Sequence, residues 1–187
     1  MPARPAPRAG RVRIIGGEYR RRLLHFPDLP GLRPTPDRVR ETVFNWLGQD
    51  LTGLSCLDAF AGSGALGFEA ASRHAARVVM LESARQAVDA LRSNRRLLGA
   101  GQVEIQETEA LAWMRAARER FDVIFLDPPF ASGRMAEALP LAAALLEPEG
   151  FIYVEQADRI VAPEGFIIHR EGRAGQSRFA LLRRAPC

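Results

Sequence analysis

The stretch CLDAFAGSGALGFEA (56–70) sets the reading of the whole chain. Its first residues are apolar and strand-like, an acid stands at Asp58, and Gly62-Ser63-Gly64 turns the chain into a helical Ala/Leu/Phe run. Strand, glycine turn and helix in that order bring a helix N-terminus, with its unpaired N–H groups, to a point where backbone can approach a ligand closely.

Outward from this unit the same alternation repeats. Short apolar runs at 54–59, 77–81, 103–106, 121–126 and 151–155 read as strands. Helical stretches at 64–74, 84–98, 110–118 and 134–146 lie between them, the last closed by Pro148 and Gly150. Strands alternating with helices predict an α/β fold with a doubly wound, mostly parallel sheet. GFIIHREGRAGQSRFALLRR (165–184) adds two strands around a glycine turn, so the sheet is seven-stranded and ends in an antiparallel hairpin. This domain spans residues 51–187.

A lone Gly-x-Gly turn suits a dinucleotide phosphate, an S-adenosylmethionine tail or plain packing. Two acids separate these. Asp58 stands next to the turn, where a pyrophosphate would be repelled and an ammonium group attracted. The next strand, RVVMLES (77–83), ends in Glu82, where a carboxylate can accept from ribose hydroxyls. Acid, glycine turn and second acid favour S-adenosylmethionine over a nicotinamide cofactor. Asp58, Phe60, Gly62, Gly64, Glu82 and Ser83 are the candidate cofactor contacts. The third strand runs into IQETEALAWM (105–114), where Glu109 and the backbone of Ala110 are candidates for the adenine edge. Glu109 has a plainer reading too, as an acid favoured by the dipole at a helix start.

IFLDPPF (124–130) ends the fourth strand on an acid and two prolines. Proline lacks an N–H and fixes φ, so the pair stops sheet pairing and leaves rigid carbonyls. Asp127 and the Pro128 carbonyl, stiffened by Pro129, are pure acceptors. They can take both hydrogens of an exocyclic amine and aim its lone pair at a methyl donor. Phe130 offers a face on which a flipped base can stack.

The chain has 187 residues, 47% apolar and 26% charged, which is the balance of a globular protein. No apolar run approaches the roughly 18–20 residues that span a bilayer. MPARPAPRAG (1–10) has charge without an apolar core, so a disordered tail is expected rather than a secretory signal. Cys56 and Cys187 are far apart and the three histidines (His25, His74, His169) are scattered, so neither disulfide nor metal is expected, and a cytoplasmic setting is. Every one of the 26 basic residues is arginine. Residues 1–40 carry ten arginines against three acids, a net +7, and the remainder is −3. That asymmetry is the footprint of a nucleic-acid binder or of a solvated tail. Residues 12–15 and 19–26 flank Gly16-Gly17 as a hairpin, and Asp37 is placed to cap a helix over RVRETVFNWL (38–47). Residues 11–50 thus form a basic β-hairpin and helix extension.

DAFAGSG (58–64), LES (81–83) and DPPF (127–130), in this order, resemble class I S-adenosylmethionine-dependent amino-methyltransferases, a Rossmann-like group. More narrowly, RIIGGEYRRRLL (13–24), GLRPTPDRVRETVFNWL (31–47), CLDAFAGSGALGFEA and IYVE (152–155) resemble the RsmD family, bacterial enzymes that methylate guanine N2 in 16S ribosomal RNA. The resemblance implies cofactor contacts at Asp58, Gly62, Gly64 and Glu82, and a transfer site at Asp127, Pro128, Pro129 and Phe130. It implies that Arg11, Arg13, Arg20, Arg21, Arg22, Arg33, Thr35, Arg38 and Arg40 help seat RNA or close the site. Relatives often carry an Asn/Asp-Ala pair after the third strand, where this chain has Glu109-Ala110. The expected partner is 16S rRNA or the assembling 30S subunit, met by a monomer. The alternatives are an N6-adenine methyltransferase on DNA or RNA, and a non-catalytic RNA-binding ribosome-assembly factor.

Overall fold

The computed structural model describes residues 10–129 and 132–187; residues 1–9 of the expected tail, and Phe130, lie outside the described residues, while Gly10 opens the first strand. Two strands, β1 (Gly10–Arg13) and β2 (Leu23–Phe26), pair antiparallel, and α1 (Asp37–Trp46) follows. Then come β3 (Ser55–Asp58), α2 (Ala65–Ser72), β4 (Arg77–Glu82), α3 (Arg85–Leu98), β5 (Val103–Glu107), α4 (Ala110–Ala116), β6 (Phe121–Leu126) and α5 (Met135–Leu145). The long strand β7 (Leu146–Gln156) leads to β8 (Phe166–Ala174) and β9 (Ser177–Arg184).

The main sheet has seven strands in the order β5-β4-β3-β6-β7-β9-β8. The five strands from β5 to β7 are parallel, and β9 and β8 add antiparallel. The central strands are buried on both faces, which is why FDVIFL in β6 is almost continuously apolar. From β3 the chain winds out through β4 to β5, then returns to the other side of β3 with β6. The order therefore reverses between β3 and β6, and a doubly wound sheet opens its ligand crevice at that point.

One core face gathers Phe44, Phe68, Leu91, Phe125 and Tyr153, together with Val12, Ile14 and Leu24 of the N-terminal segment. The other gathers Leu57, Val79, Leu111, Phe121, Ile124 and Leu145. The N-terminal hairpin and α1 thus share their core with the sheet and lie over the face that carries α2 and α3.

Three local expectations are corrected. The hairpin does not turn at Gly16-Gly17: β2 begins at Leu23, and residues 14–22 form a longer loop. That loop is bound to α2 instead, through Ile15 and Gly16 N–H donating to Glu69 and Tyr19 N–H donating to Ser72 Oγ. Asp37 is the first helical residue rather than a cap, and its carboxylate takes Arg40. Pro148 and Gly150 do not close α5 but lie inside β7, where the register with β6 shifts. A Cβ at Gly150 would come within 2.6 Å of the Asp122 carbonyl, so only glycine lets the two strands approach there.

Candidate active site

The C-terminal ends of β3, β4, β6 and β7 carry Asp58, Glu82, Asp127 and Glu155, and all four line one cavity of about 610 Å³. Its far wall is the loop of residues 29–36, which arrives from the N-terminal segment. The volume falls in the range of small-ligand and cofactor sites.

Asp58 is 2% exposed, and its Oδ2 accepts the Gly67 N–H at 3.0 Å. Burial, aided by the neighbouring Glu82 charge, lifts its pKa to about 7. A cation brought beside it would reverse that shift. Glu82 spans the glycine turn: Oε2 accepts the Gly62 N–H at 2.8 Å and Oε1 accepts the Ala84 N–H at 2.9 Å. Phe60, Gly62, Ser83 and Ala110 also line the cavity.

Two expected cofactor contacts are placed elsewhere. Gly64 is absent from the cavity wall. It has φ of 81°, and a Cβ there would meet Leu91 and Phe68 at 2.6 and 2.7 Å, so it serves the packing of α2 on α3. Glu109 is also absent from the wall. Its carboxylate caps α4, accepting from Leu111 and Ala112 N–H, and approaches Arg134 Nη1 at 3.6 Å. Those contacts hold its pKa below the ordinary value, the Ala112 N–H contributing most. The plainer reading of Glu109 is the one its geometry supports.

At the end of β6, Asp127, Pro128 and Pro129 face the cavity. Thr35 Oγ1 donates to Asp127 Oδ2 at 3.0 Å. Thr35 is buried, so it belongs to the site rather than to an outer RNA surface. Burial first, then the Glu155 charge, raise Asp127 well above the usual carboxylate range, against the Thr35 hydrogen bond. Arg40 is corrected more sharply: it is fully buried and cannot meet RNA. Its Nε donates to the Thr35 carbonyl at 3.0 Å, and Nη1 donates to the Arg13 carbonyl at 3.0 Å and to Glu69 Oε2 at 3.1 Å. Arg11, Arg13, Arg20, Arg21, Arg22, Arg33 and Arg38 are exposed.

Sequence reasoning passed over Glu155, Ser177, Thr108 and Arg134, which line the same cavity. Glu155 carried a usable signal, because it is another acid at the end of a predicted parallel strand. Ser177 and Arg134 carried none.

Strand order, the crevice at the topological switch and the acids around it define a class I S-adenosylmethionine-dependent methyltransferase. Residues 12–183 match the family described as Conserved hypothetical protein 95. The chain belongs to this family, the RsmD family that its motifs resemble. It is 41% identical over 181 residues to Ribosomal RNA small subunit methyltransferase D of Escherichia coli K12, covering 94% of this chain and 91% of that one. The Haemophilus influenzae protein of the same name is 40% identical over 174 residues, 89% of this chain and 90% of its own. Among solved structures, Escherichia coli yhhF superposes with a TM-score of 0.84 at 41% identity, covering 94% of this chain and 98% of that one. The Thermus thermophilus 16S rRNA N2-guanine methyltransferase RsmC, solved with AdoMet and guanosine, shares the fold at TM-score 0.70 and 22% identity, covering 99% of this chain and 52% of that one.

The residues present fit S-adenosylmethionine. A buried acid with a raised pKa suits its ammonium end, and Glu82 beside the Gly62 turn suits its ribose hydroxyls. Ala110 lines the cavity and is placed to meet the adenine.

Proposed function

We propose that this protein transfers a methyl group from S-adenosylmethionine to the exocyclic N2 of a guanine in small-subunit ribosomal RNA. The reading rests on one observation above all. Asp127, held by Thr35, and Pro128 stand at the end of β6 in the same cavity as Asp58 and Glu82. When bound, the cofactor supplies a methyl group activated by a sulfonium.

The chain's own residues deal with the amine. An aromatic exocyclic amine is a poor nucleophile because its lone pair is delocalised into the ring. Asp127 Oδ1, which has no protein donor among the described residues, and the Pro128 carbonyl accept its two hydrogens. That grip turns the lone pair out of the ring plane and fixes its direction. As positive charge develops on nitrogen, the Asp127 carboxylate stabilises it and then takes the departing proton. Thr35 keeps the carboxylate from rotating away. The exposed arginines Arg11, Arg13, Arg20, Arg21 and Arg22 of the hairpin region, with Arg33 on the cavity wall and Arg38 on α1, are proposed to hold the RNA backbone. The protein acts in this reading as a monomer in the cytoplasm.

The test is mass-spectrometric mapping of 16S methylation after purified protein and S-adenosylmethionine are offered free rRNA and 30S particles in parallel. N2-methylguanosine at one position is expected. N6-methyladenosine would replace this reading with the adenine alternative, and binding without any methyl incorporation would favour a non-catalytic assembly factor. Asp127→Asn should lower turnover by about 10²–10³-fold, the scale of one lost oriented electrostatic contact. Its S-adenosylmethionine affinity should change little, because Asp127 faces the amine.

A further inference from the structure

The cavity contains a second carboxylate beside the transfer site that the mechanism above does not use. Glu155 lies at the end of β7, where Leu126 pairs with Val154. Asp127 and Glu155 are therefore the next positions on neighbouring parallel strands, which run about 4.8 Å apart. Both line the cavity. Glu155 is 6% exposed. Its Oε1 accepts from Ser177 Oγ at 2.8 Å and its Oε2 from the Tyr153 hydroxyl at 2.8 Å. Among the described residues no arginine or histidine forms an ion pair with it.

A buried carboxylate held by two neutral hydroxyls and no cation is an expensive group to keep. Each of its oxygens has two lone pairs, so acceptor capacity remains after the two hydroxyls. That capacity is one-sided, since a carboxylate accepts and does not donate. Standing at neighbouring strand ends on one cavity wall, Asp127 and Glu155 can meet a common ligand.

Guanine and adenine differ at the atom next to the amine. In guanine the 2-amino group adjoins N1–H, so two neighbouring positions donate. In adenine the 6-amino group adjoins an N1 that carries a lone pair. A base whose amine is held by Asp127 and Pro128 presents its flanking ring atoms to the strand ends on either side of β6, and Glu155 stands at one of them. We propose that Glu155 selects guanine by accepting its N1–H, and rejects adenine by opposing a carboxylate to its N1 lone pair. This inference rests on the N2-guanine reading and names the residue that would enforce it. Ser177 and Tyr153 act as positioning residues: they hold the two oxygens and keep the charge at the base edge.

A purely structural Glu155, tying β7 to β9 through Ser177, would affect every substrate alike, and that difference is measurable. The target guanine, once mapped, is replaced by 2-aminopurine in a synthetic RNA; the amine is kept while N1 loses its hydrogen. Methyl transfer is then followed for wild type and Glu155→Gln on both RNAs, with S-adenosylmethionine binding as the check on folding. Wild type should prefer guanine by at least about tenfold, the scale of one charge-assisted hydrogen bond. In Glu155→Gln, whose amide can donate to a bare N1, that ratio should shrink by about tenfold or more. The missing O6 of 2-aminopurine is common to both enzymes and cancels in the comparison.

An unchanged ratio, with both RNAs slowed equally, overturns the selector role and leaves the N2-guanine reading standing. If the variant fails to fold, equal turnover of the two RNAs by wild type still overturns it. Absence of transfer to guanine N2 by wild type removes the reading and the inference together.

Discussion

Single residues in this chain take their roles from what lies next to them in space. Thr35 and Arg40 sit five positions apart in the same arginine-rich block, and both are buried. One reaches Asp127 and the other holds the first through its carbonyl. Nothing in the residue types RPTPDRVR announces that, because a threonine hydroxyl or an arginine reads equally well as a solvent contact. Asp58 is the residue whose burial has the plainest consequence. Its folded-state pKa of about 7 lies above the ordinary value of 3.8. The protonated form is therefore favoured on folding, and this group's contribution to stability is present below about pH 4 and lost as pH rises toward 7. Cofactor binding runs the other way, because an ammonium group favours the ionised carboxylate. S-adenosylmethionine affinity measured by calorimetry from pH 5.5 to 7 should rise with pH, by at most about tenfold per unit. Asp58→Asn should flatten that dependence. A wild-type affinity independent of pH in this range would separate Asp58 from the ligand's charge.

At the scale of elements, α2 does two jobs. Its N-terminal end forms the glycine turn of the site, and its fifth residue, Glu69, ties the N-terminal segment to the sheet. Glu69 is fully buried and accepts from Ile15 and Gly16 N–H, from Arg40 Nη1 and from Arg73 Nε, at 2.9–3.1 Å. Arg73 in turn donates to Gln49 and lies over the Phe44 ring at 5.0 Å. Two guanidinium groups and two backbone donors thus depend on one carboxylate. Glu69→Ala should destabilise the protein by about 3–5 kcal/mol, because it leaves uncompensated buried charge. For a chain of this size that is a fall of roughly ten degrees in Tm, readable by thermal denaturation. Loosening of the loop at 29–36, and with it Thr35, should accompany the loss. A Tm within two or so degrees of wild type would show that water satisfies the network. The expected hairpin turn at Gly16-Gly17 gave way to this same network, since Glu69 engages the backbone that a tight turn would have paired.

Across the whole molecule, charge and cavity lie on related parts of the fold. The exposed arginines of the hairpin region belong to the same N-terminal segment that supplies the 29–36 wall of the cavity. Replacing Arg20, Arg21 and Arg22 with glutamine should weaken binding to ribosomal RNA and lower the slope of log affinity against log salt by about 2, at roughly 0.7 per phosphate contact on single strands. An unchanged slope would remove these three as a phosphate platform. By itself the sequence determined the alternation of strands and helices, the seven-stranded sheet with its antiparallel hairpin, and the acids at the ends of three strands. Those features depend on local periodicity and on residues that end strands, and both are written within a few neighbouring positions. Only the tertiary structure decided which side chains meet. Glu109 caps a helix and Gly64 packs against Leu91, while Arg40 is buried against Glu69 and Thr35 holds Asp127 from 92 positions away. Contacts of that kind arise from the register of neighbouring strands and from the packing of the N-terminal segment over the sheet, and no local pattern encodes either.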